Sequence, residues 1–199
     1  MGIKIIKSWD IDSEFKICHI EKFDESINDL VRKYFAHNYP ILRWRDYLND
    51  NESRAVTDLN SKLKSRKRID IGILKGENIV GWSYGWQGGM ESASYYMANS
   101  CVLPEYRRQG LYNLMLKKII EISKESHFHT LTSRHVASNN AVIIAKLKAG
   151  FKITGMELSE IHGNLIHLTY FNNDLKAECF EVRSGLARPS NPIIKDLYE

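Results

Sequence analysis

The chain has 199 residues, of which 43% are hydrophobic and 26% charged, and these values are typical of one folded domain with a sizeable core. Its 28 basic and 24 acidic residues give a net charge of +4, which suits a small polyanionic ligand and is too low to indicate nucleic-acid binding on its own. The three cysteines, Cys18, Cys101 and Cys179, are odd in number and far apart, so they predict no disulfide framework and favour a reducing compartment.

Neither a signal peptide nor a membrane helix is expected. Acidic residues interrupt residues 1–15 before an apolar segment of signal-peptide length can develop. The longest aliphatic run covers only residues 141–145, whereas a membrane helix needs roughly 20 residues. We therefore expect a cytoplasmic protein without a membrane partner.

The first part of the chain predicts one strand and two helices. Alternating apolar and polar residues predict the strand over 15–23. Apolar residues at helical spacing predict helices over 24–37 and 42–63, which Pro40 separates. The basic run 61–68, SKLKSRKR, is typical of a solvated helix end, and without interleaved aromatic residues it gives only weak support to a nucleic-acid contact.

After the basic run, strand patterns replace the helical ones. Residues 69–75 and 78–86 are predicted as the two strands of a hairpin, and residues 92–103 as a long third strand. The clearest helix covers residues 109–125, because apolar residues recur there at helical spacing. Another strand is expected over 128–136.

The last predicted elements are a short helix and a second hairpin. Ser138 is expected to cap a helix over 139–149, and Gly150 suits the position just beyond its end. Residues 151–161 and 165–171 are expected to pair as a hairpin. No periodic pattern continues beyond that hairpin.

The order of the elements is strand, two helices, three strands, helix, strand, helix and two strands. This order predicts an α/β or α+β domain over residues 1–172, with a mixed sheet and helices on its faces. The hairpin-linked strands argue against a fully parallel sheet of the Rossmann type. Residues 173–199 are expected to form a C-terminal tail or arm, a candidate contact for a second subunit in a homodimer.

Residues 102–112, VLPEYRRQGLY, place two arginines and a glycine between a predicted strand and the clearest predicted helix. The first N–H groups of a helix lack internal partners and lie at the positive end of its dipole, so a helix start can bind a phosphate. Gly110 allows a ligand to approach the backbone closely, and Arg107 and Arg108 offer charge-assisted hydrogen bonds. Helix starts that bind nothing also carry glycine and solvent-facing arginine, so residue chemistry alone leaves both interpretations open.

The same stretch resembles the cofactor-binding motif of the GCN5-related N-acetyltransferase (GNAT) family, V-x-P-x-x-[R/Q]-x-x-G-x-[G/A]. The matching residues are Val102, Pro104, Arg107 and Gly110. A later stretch, SNNAVIIAKLKAGF, resembles the family segment N-x-x-A-x-x-L-Y-x-K-x-G-F. Its matching residues are Asn139, Lys148, Gly150 and Phe151. The resemblance covers residues 69–171 and implies the GNAT fold: a mixed, mostly antiparallel central sheet, splayed by a β-bulge and flanked by helices.

The resemblance also implies acetyl-CoA as co-substrate, direct acetyl transfer to an amine, and no metal. The strand that ends at Val102 and Leu103 would carry the β-bulge, and Asn139 would bind the pantetheine arm. Backbone amides would cradle the pyrophosphate of the coenzyme. These amides belong to Arg107, Arg108, Gln109, Gly110, Leu111 and Tyr112.

The chain departs from the family pattern at two positions. Tyr112 stands where the motif has Gly or Ala, so its ring would either stack on the cofactor or point into the core. Lys146 stands where many members carry a tyrosine that acts as general acid, and we expect this helix lysine to be exposed. The proton-transfer residues are therefore unassigned, and the candidate catalytic residues near the expected cleft are Tyr96, Asn99 and His135.

The acceptor is not identified by the sequence. Trp86 and Tyr96 would favour an aromatic or cationic acceptor if they face the cleft. Asp46, Asp50 and Glu52 would attract a cationic amine, although a solvated polar face is the ordinary role of such residues.

Three functional hypotheses follow. The first is an N-acetyltransferase that moves an acetyl group from acetyl-CoA to a primary amine of a small molecule or peptide. The second is a non-catalytic acyl-CoA-binding sensor or interaction module, which the lysine at position 146 keeps open. The third, nucleic-acid binding through residues 61–68, rests on the basic run alone, so nucleic acid is not an expected partner.

Overall fold

A mixed sheet of eight strands organises the protein in a computed structural model that describes residues 3–24, 26–34, 47–61, 65–88 and 93–197. The strands are β1 (Ile5–Asp10), β2 (Phe15–Ile20), β3 (Arg68–Lys75), β4 (Asn78–Gln87), β5 (Ser94–Val102), β6 (Thr130–Val136), β7 (Lys152–Ser159) and β8 (Gly163–Phe171). Their order is β1-β2-β3-β4-β5-β6-β8-β7, and every neighbouring pair is antiparallel except β5 and β6. The predicted mixed, mostly antiparallel sheet is confirmed.

Helices flank the sheet. They are α1 (Ser26–Tyr34), α2 (Asp50–Ser61), α3 (Leu111–Glu125), α4 (Asn140–Lys148), α5 (Asp174–Arg183) and α6 (Pro192–Asp196). A short 3₁₀ turn, Pro104–Tyr106, links β5 to the loop before α3. Within the described parts of the chain, no helix is both long and apolar enough to span a membrane.

The sheet separates two hydrophobic cores. On one side, here called the α3 face, Met115 of α3 packs in a cluster with Ile71 of β3, and both are fully buried. On the other side, the α1 face, Ile27 of α1 packs in a cluster with Ile20 and Trp82. Because side chains alternate along each strand, neighbouring residues of one strand belong to different cores.

Two elements of the first part of the chain differ from those predicted. β1 is an unpredicted edge strand, because its residues are largely exposed on both faces and so carry no alternating pattern. Of the helix predicted over 42–63, residues 42–46 and 62–63 lie outside the described residues, and α2 begins at Asp50. Asn49 and Glu52 form a reciprocal cap there: the side chain of Asn49 accepts from the Glu52 N–H at 3.0 Å, and that of Glu52 accepts from the Asn49 N–H at 2.9 Å.

Of the two residues predicted to mark the ends of α4, Gly150 does so and Ser138 does not. Ser138 does not cap the helix. Asn139 occupies the N-cap position, and its side chain makes no capping hydrogen bond. The Asn139 N–H donates to the Val136 carbonyl at 2.8 Å and so closes a turn just before the helix. Gly150 follows the helix with a φ of +96°, in the left-handed region that glycine tolerates best.

Two helices, α5 and α6, follow the last strand in the region where the sequence predicted only a tail. Asn173 caps α5 by accepting from the Lys176 N–H at 3.0 Å, and Asn191 caps α6 in the same way from Ile193. The helices are tied together by Glu178, whose carboxylate accepts from the Asn191 N–H at 2.7 Å. Side-chain caps, rather than a periodic apolar pattern, therefore mark the starts of these two helices.

Candidate active site

A cleft opens where strands β5 and β6 separate. The two strands pair only through Ser94, Tyr95 and Tyr96 of β5, although β5 continues to Val102 and β6 to Val136. We call the end of the pairing, beside Tyr96, the vertex. Beyond the vertex the strands enclose a cleft of about 740 Å³. The backbone edge of β5 that faces β6 is therefore unpaired along the cleft, so its polar groups are available to a ligand.

The separation begins at a bulge in β5. In the pairing with β4, Tyr84 lies opposite Asn99 but Gly85 lies opposite Met97, so Ala98 is an extra residue without a partner. A bulge bends its strand and increases the local twist, which turns the end of β5 away from β6. The predicted bulge thus lies in the expected strand, directly after the vertex.

Gly85 makes room for this bulge. A Cβ atom at this position would lie 2.1 Å from the Tyr96 carbonyl oxygen and 2.6 Å from the Tyr95 hydroxyl, so no other residue fits without moving backbone. We expect Gly85→Ala to lower the free energy of unfolding by about 3 kcal/mol, as measured by urea denaturation.

The matched control for this prediction is Gly155→Ala in β7. The nearest atom to a Cβ at Gly155 is 3.9 Å away, which is ordinary van der Waals contact. Its free energy of unfolding should stay within about 0.5 kcal/mol of the original protein. Equal effects of the two substitutions would contradict the steric role of Gly85.

The start of α3 forms the mouth of the cleft on the α3 face. Gly110, at the N-cap of α3, has a φ of +77° and open space where a Cβ would stand. Arg108 also has a positive φ, of +62°. Arg107 fixes this loop to the end of β5, because its Nε donates to the Val102 carbonyl at 2.9 Å. The Asn113 N–H donates to the Gly110 carbonyl at 3.0 Å, whereas the first two amides of α3, those of Leu111 and Tyr112, have no helical partner and lie beside the cleft, as an anion site requires.

Tyr112 packs against the α3-face core rather than leaving its ring free in the cleft. Its hydroxyl is buried and has no hydrogen-bond partner among the described residues. Burial raises the pKa of this phenol well above its usual range, so the hydroxyl stays protonated. The side chain still contributes to the cleft wall at the mouth.

Lys146 is buried, with only 1% of its surface exposed, so the predicted exposed helix lysine is wrong. Its Nζ lies 3.4 Å from the Met97 Sδ and 4.9 Å from the centre of the Phe151 ring. No carboxylate pairs with it in the described parts of the chain. Burial lowers the pKa of Lys146 to about 7, because nothing nearby compensates the loss of hydration of the ammonium group. Met97 directly follows Tyr96, so this amine lies next to the vertex.

His135 lies on the same face of β6 as Leu131, which is the α3 face, and it lines the cleft. Its Nε2 is 3.1 Å from the Ser133 hydroxyl. Burial, with a smaller contribution from the charge of Lys146, lowers the pKa of His135 to about 3. The imidazole is therefore neutral at physiological pH.

The structure brings most of the predicted site residues into one cleft. Those that line it are Tyr96, Val102, Arg107, Arg108, Gly110, Leu111, Tyr112, His135 and Asn139. Three others are not part of its wall: Gln109 is exposed, Leu103 is buried in the α1-face core, and Asn99 accepts from the Trp82 Nε1 at 2.7 Å.

Sequence reasoning missed several wall residues, among them Tyr34 of α1, Tyr106 of the 3₁₀ turn, and Arg134 of β6. Each lies in a predicted element or directly beside one. The face on which each side chain lies, however, depends on the tertiary packing. For Arg134 the available signal was its place in a predicted strand, directly before the candidate residue His135.

The residues considered for other roles lie elsewhere. Asp46 is outside the described residues, and Asp50 and Glu52 are exposed at the start of α2. In the basic run, Lys67 donates to the Ser126 carbonyl at 3.4 Å, and Arg68 pairs with Asp70 at 3.1 Å. Within the described ranges, no group of His, Cys, Asp and Glu residues is placed to hold a metal ion.

Comparison with known proteins gives a family and a fold. A sequence model of the Acetyltransferase (GNAT) family matches residues 25–151, more than half of the chain. No curated protein sequence matches the chain.

Several solved structures have a similar fold. A GNAT family acetyltransferase from Elizabethkingia anophelis with acetyl-CoA bound superposes with a TM-score of 0.58 at 15% identity, over 80% of this chain and 99% of that one. The spermidine N-acetyltransferase from Vibrio cholerae, described as dodecameric, has a TM-score of 0.58 at 11% identity, over 82% and 97%. The ribosomal-protein-S18-alanine N-acetyltransferase from Escherichia coli has a TM-score of 0.54 at 16% identity, over 80% and 94%.

Proposed function

The chain belongs to the GNAT acetyltransferase family, and we propose that it transfers the acetyl group of acetyl-CoA directly to a primary amine of a small molecule or peptide. The observation that carries this proposal is the open cleft between β5 and β6, with the unpaired start of α3 at its mouth. Acetyl-CoA is the co-substrate of this family. The named acceptors of the solved relatives differ from one another, so the acceptor here must be inferred from the site itself.

The residues at the mouth fit the coenzyme. The open space at Gly110 lets a pyrophosphate approach the first-turn amides of α3, while Arg107 and Arg108 supply positive charge. Asn139, on the opposite wall, offers an amide to the pantetheine arm. The unpaired edge of β5 runs from this mouth toward the vertex, so an extended arm along it would bring the thioester near Ala98.

The coenzyme supplies the activated acetyl group, and the chain positions it. The acceptor nitrogen bonds to the thioester carbon, the carbon–sulfur bond breaks, and its electron pair leaves on sulfur. We assign Lys146 as the donor that passes a proton to this thiolate, because its buried Nζ lies 3.4 Å from the Sδ of Met97, the residue that follows Tyr96 at the vertex. A solvent proton then restores the ammonium, and the proton lost by the acceptor passes to solvent. Tyr96 and His135, which line the cleft, remain candidates for guiding that second proton.

Coenzyme binding is tested first by thermal unfolding with acetyl-CoA, CoA and, as the phosphate-bearing control, ATP. A ligand at a hundred times its dissociation constant stabilises the protein by about 2.7 kcal/mol, which raises the midpoint by several degrees. We expect a clear rise with both coenzyme forms and little with ATP. No rise with either form would reject the proposed function.

Turnover then separates catalysis from binding alone. The release of CoA thiol is followed with a panel of primary amines. Coenzyme binding without release of thiol above background would favour the alternative hypothesis, a non-catalytic acyl-CoA sensor or interaction module.

The setting of the reaction follows from the same proposal. All three cysteines are free in the structure, which supports a reducing compartment, and we place the protein in the cytoplasm. Association into a homodimer stays a prediction.

A further inference from the structure

We propose that the acceptor carries an anionic group, a carboxylate or a phosphate, close to its amine, and that Arg134 binds this anion. The inference rests on the proposed acetyl transfer and names the class of amine that the cleft selects. It is carried by the position of Arg134, by the groups that hold it, and by the charges of the cleft wall.

Arg134 is held in place by neighbours that leave one edge of its guanidinium open. Its Nη1 donates to both carboxylate oxygens of Glu157, at 2.8 and 3.0 Å, and its Nε donates to the Tyr96 hydroxyl at 3.3 Å. The group also lies over the Tyr96 ring, 5.5 Å from its centre. Nη2 has no partner among the described residues, and Arg134, whose side chain is 41% exposed, is part of the cleft wall. A guanidinium fixed on two sides is preorganised to bind a planar or tetrahedral anion through the third.

Glu157 is itself oriented by a second contact. Its carboxylate lies 2.8 Å from the His167 Nε2 on the next strand. The hydrogen bond from Arg134, and after it that from His167, hold the pKa of Glu157 below its usual range, so the pair with Arg134 stays ionised. Glu157 and His167 are thus positioning residues for Arg134, while neither forms part of the cleft wall.

Arg134 lies on the acceptor side of the cleft. Leu131 belongs to the α3-face core, so Thr132 and Arg134, which alternate with it, point toward the α1 face. The coenzyme mouth at α3 is on the opposite face. The amine must therefore approach the thioester from the α1 face, where Arg134 and Tyr96 meet it.

The distance along β6 limits where the anion sits. Thr132 is the last residue of β6 paired with β5, and Arg134 is two residues beyond it. At about 3.3 Å per residue, Arg134 is about 7 Å from the vertex along the strand. The Arg134 Nε also contacts the hydroxyl of Tyr96, the vertex residue, so we expect an anion bound there to be only a few covalent bonds from an amine at the thioester, as in an amino acid or a phosphorylated amino alcohol.

The charges of the cleft support an anionic acceptor. Its described wall contains three arginines and no Asp or Glu, while His135 is neutral. A polyamine would place a second ammonium group beside Arg134, where the carboxylate of Glu157 already accepts two hydrogen bonds from the guanidinium. Two of the acidic residues considered for a cationic acceptor, Asp50 and Glu52, are not part of this wall.

The experiment compares matched amines in the acetyl-CoA-loaded protein. Each of several amino acids is paired with its amide, phosphoethanolamine is paired with ethanolamine, and spermidine represents the polyamines. We expect kcat/KM for the anionic member of at least one pair to exceed that of its neutral partner by about 10- to 100-fold, the range for one charge-assisted hydrogen-bonded contact. The amino-acid and phosphate arms identify which anion is bound.

Substitutions test whether Arg134 causes the preference for the anionic amine. Arg134→Gln should reduce the ratio of kcat/KM between the anionic and the neutral member to nearly 1, with the coenzyme-induced thermal shift unchanged. Arg183→Gln, at the exposed last residue of α5, is the matched control and should preserve the advantage. A second readout is binding of the preferred amine to the CoA-loaded protein by calorimetry, which Arg134→Gln should weaken to the same degree.

The outcomes are distinguishable. Absence of coenzyme binding would reject the proposed function itself. Coenzyme binding together with a preference for spermidine or for the neutral amines, or with no turnover of any anionic amine, would overturn the assignment of the acceptor class. An anion preference that survives Arg134→Gln would overturn the role of Arg134.

Discussion

Replacing Lys146 with methionine is expected to raise the free energy of unfolding at pH 7 by about 4 kcal/mol. The amine has a pKa of about 7 in the folded protein and an ordinary value of 10.5 when exposed. Each unit of difference corresponds to about 1.4 kcal/mol between the two protonation states. Methionine fills a similar volume without a charge, so the cost of burying the ammonium group disappears.

The pH dependence gives this prediction a definite sign. Because the folded pKa is lowered, the unfolded chain binds more protons than the folded one between pH 7 and 10.5. The destabilisation is complete below pH 7 and fades as the pH rises through this window, so the stability of the original protein should increase there. Lys146→Met should lack this increase. The measurement is urea unfolding at a series of pH values from 6.5 to 10.5.

Lys148→Met provides the matched control. Lys148 is on the same helix but exposed, so its removal should change the free energy of unfolding by less than about 0.5 kcal/mol at any pH. If Lys146→Met unfolds at the same or lower urea concentration than the original protein, the amine is not held neutral by burial.

The same variant connects stability to catalysis. If Lys146 donates a proton to the leaving thiolate, Lys146→Met should lower kcat by about 100-fold or more, while the coenzyme-induced thermal shift remains. Its pH–rate profile should also lose the limb near pH 7. A lysine that destabilises the fold and serves no proton transfer would leave kcat and this limb unchanged.

Replacing Gly110 with tryptophan is expected to reduce coenzyme affinity by at least about 100-fold. The space where a side chain would stand is open, and Gly110 lines the cleft at the proposed pyrophosphate site. An indole ring there would occupy the anion site. The positive φ of +77° adds backbone strain, which would alter the start of α3 as well. The measurement is the dissociation constant of CoA by calorimetry.

Gly185→Trp separates the two effects. Gly185 also has a positive φ, of +71°, with open space around it, but it follows α5 and is not part of the cleft wall. It should suffer the same strain and bind CoA normally. Unchanged affinity in folded Gly110→Trp would place the coenzyme elsewhere.

The sequence predicted the central elements because their patterns are local. Strands β3, β4 and β5 and helix α3 have strong periodicity, and each lies within two residues of its predicted bounds at both ends. The family motif also located the mouth of the cleft, since the path from β5 to α3 passes through adjacent residues. Elements without periodicity were missed: β1 is exposed on both faces, and α5 and α6 depend on side-chain caps.

By itself, the sequence determined the type of fold and predicted an anion site at the start of α3, because strand alternation, helical spacing and the Arg-Arg-Gln-Gly junction are properties of consecutive residues. Only the tertiary structure decided the environment of Lys146 and the contacts of Arg134. Burial depends on which distant elements cover a side chain: Met97 and Phe151 enclose the amine, and Glu157 and Tyr96 hold the guanidinium. The same residue types on an isolated helix or strand would be solvated, with ordinary pKa values and no fixed geometry.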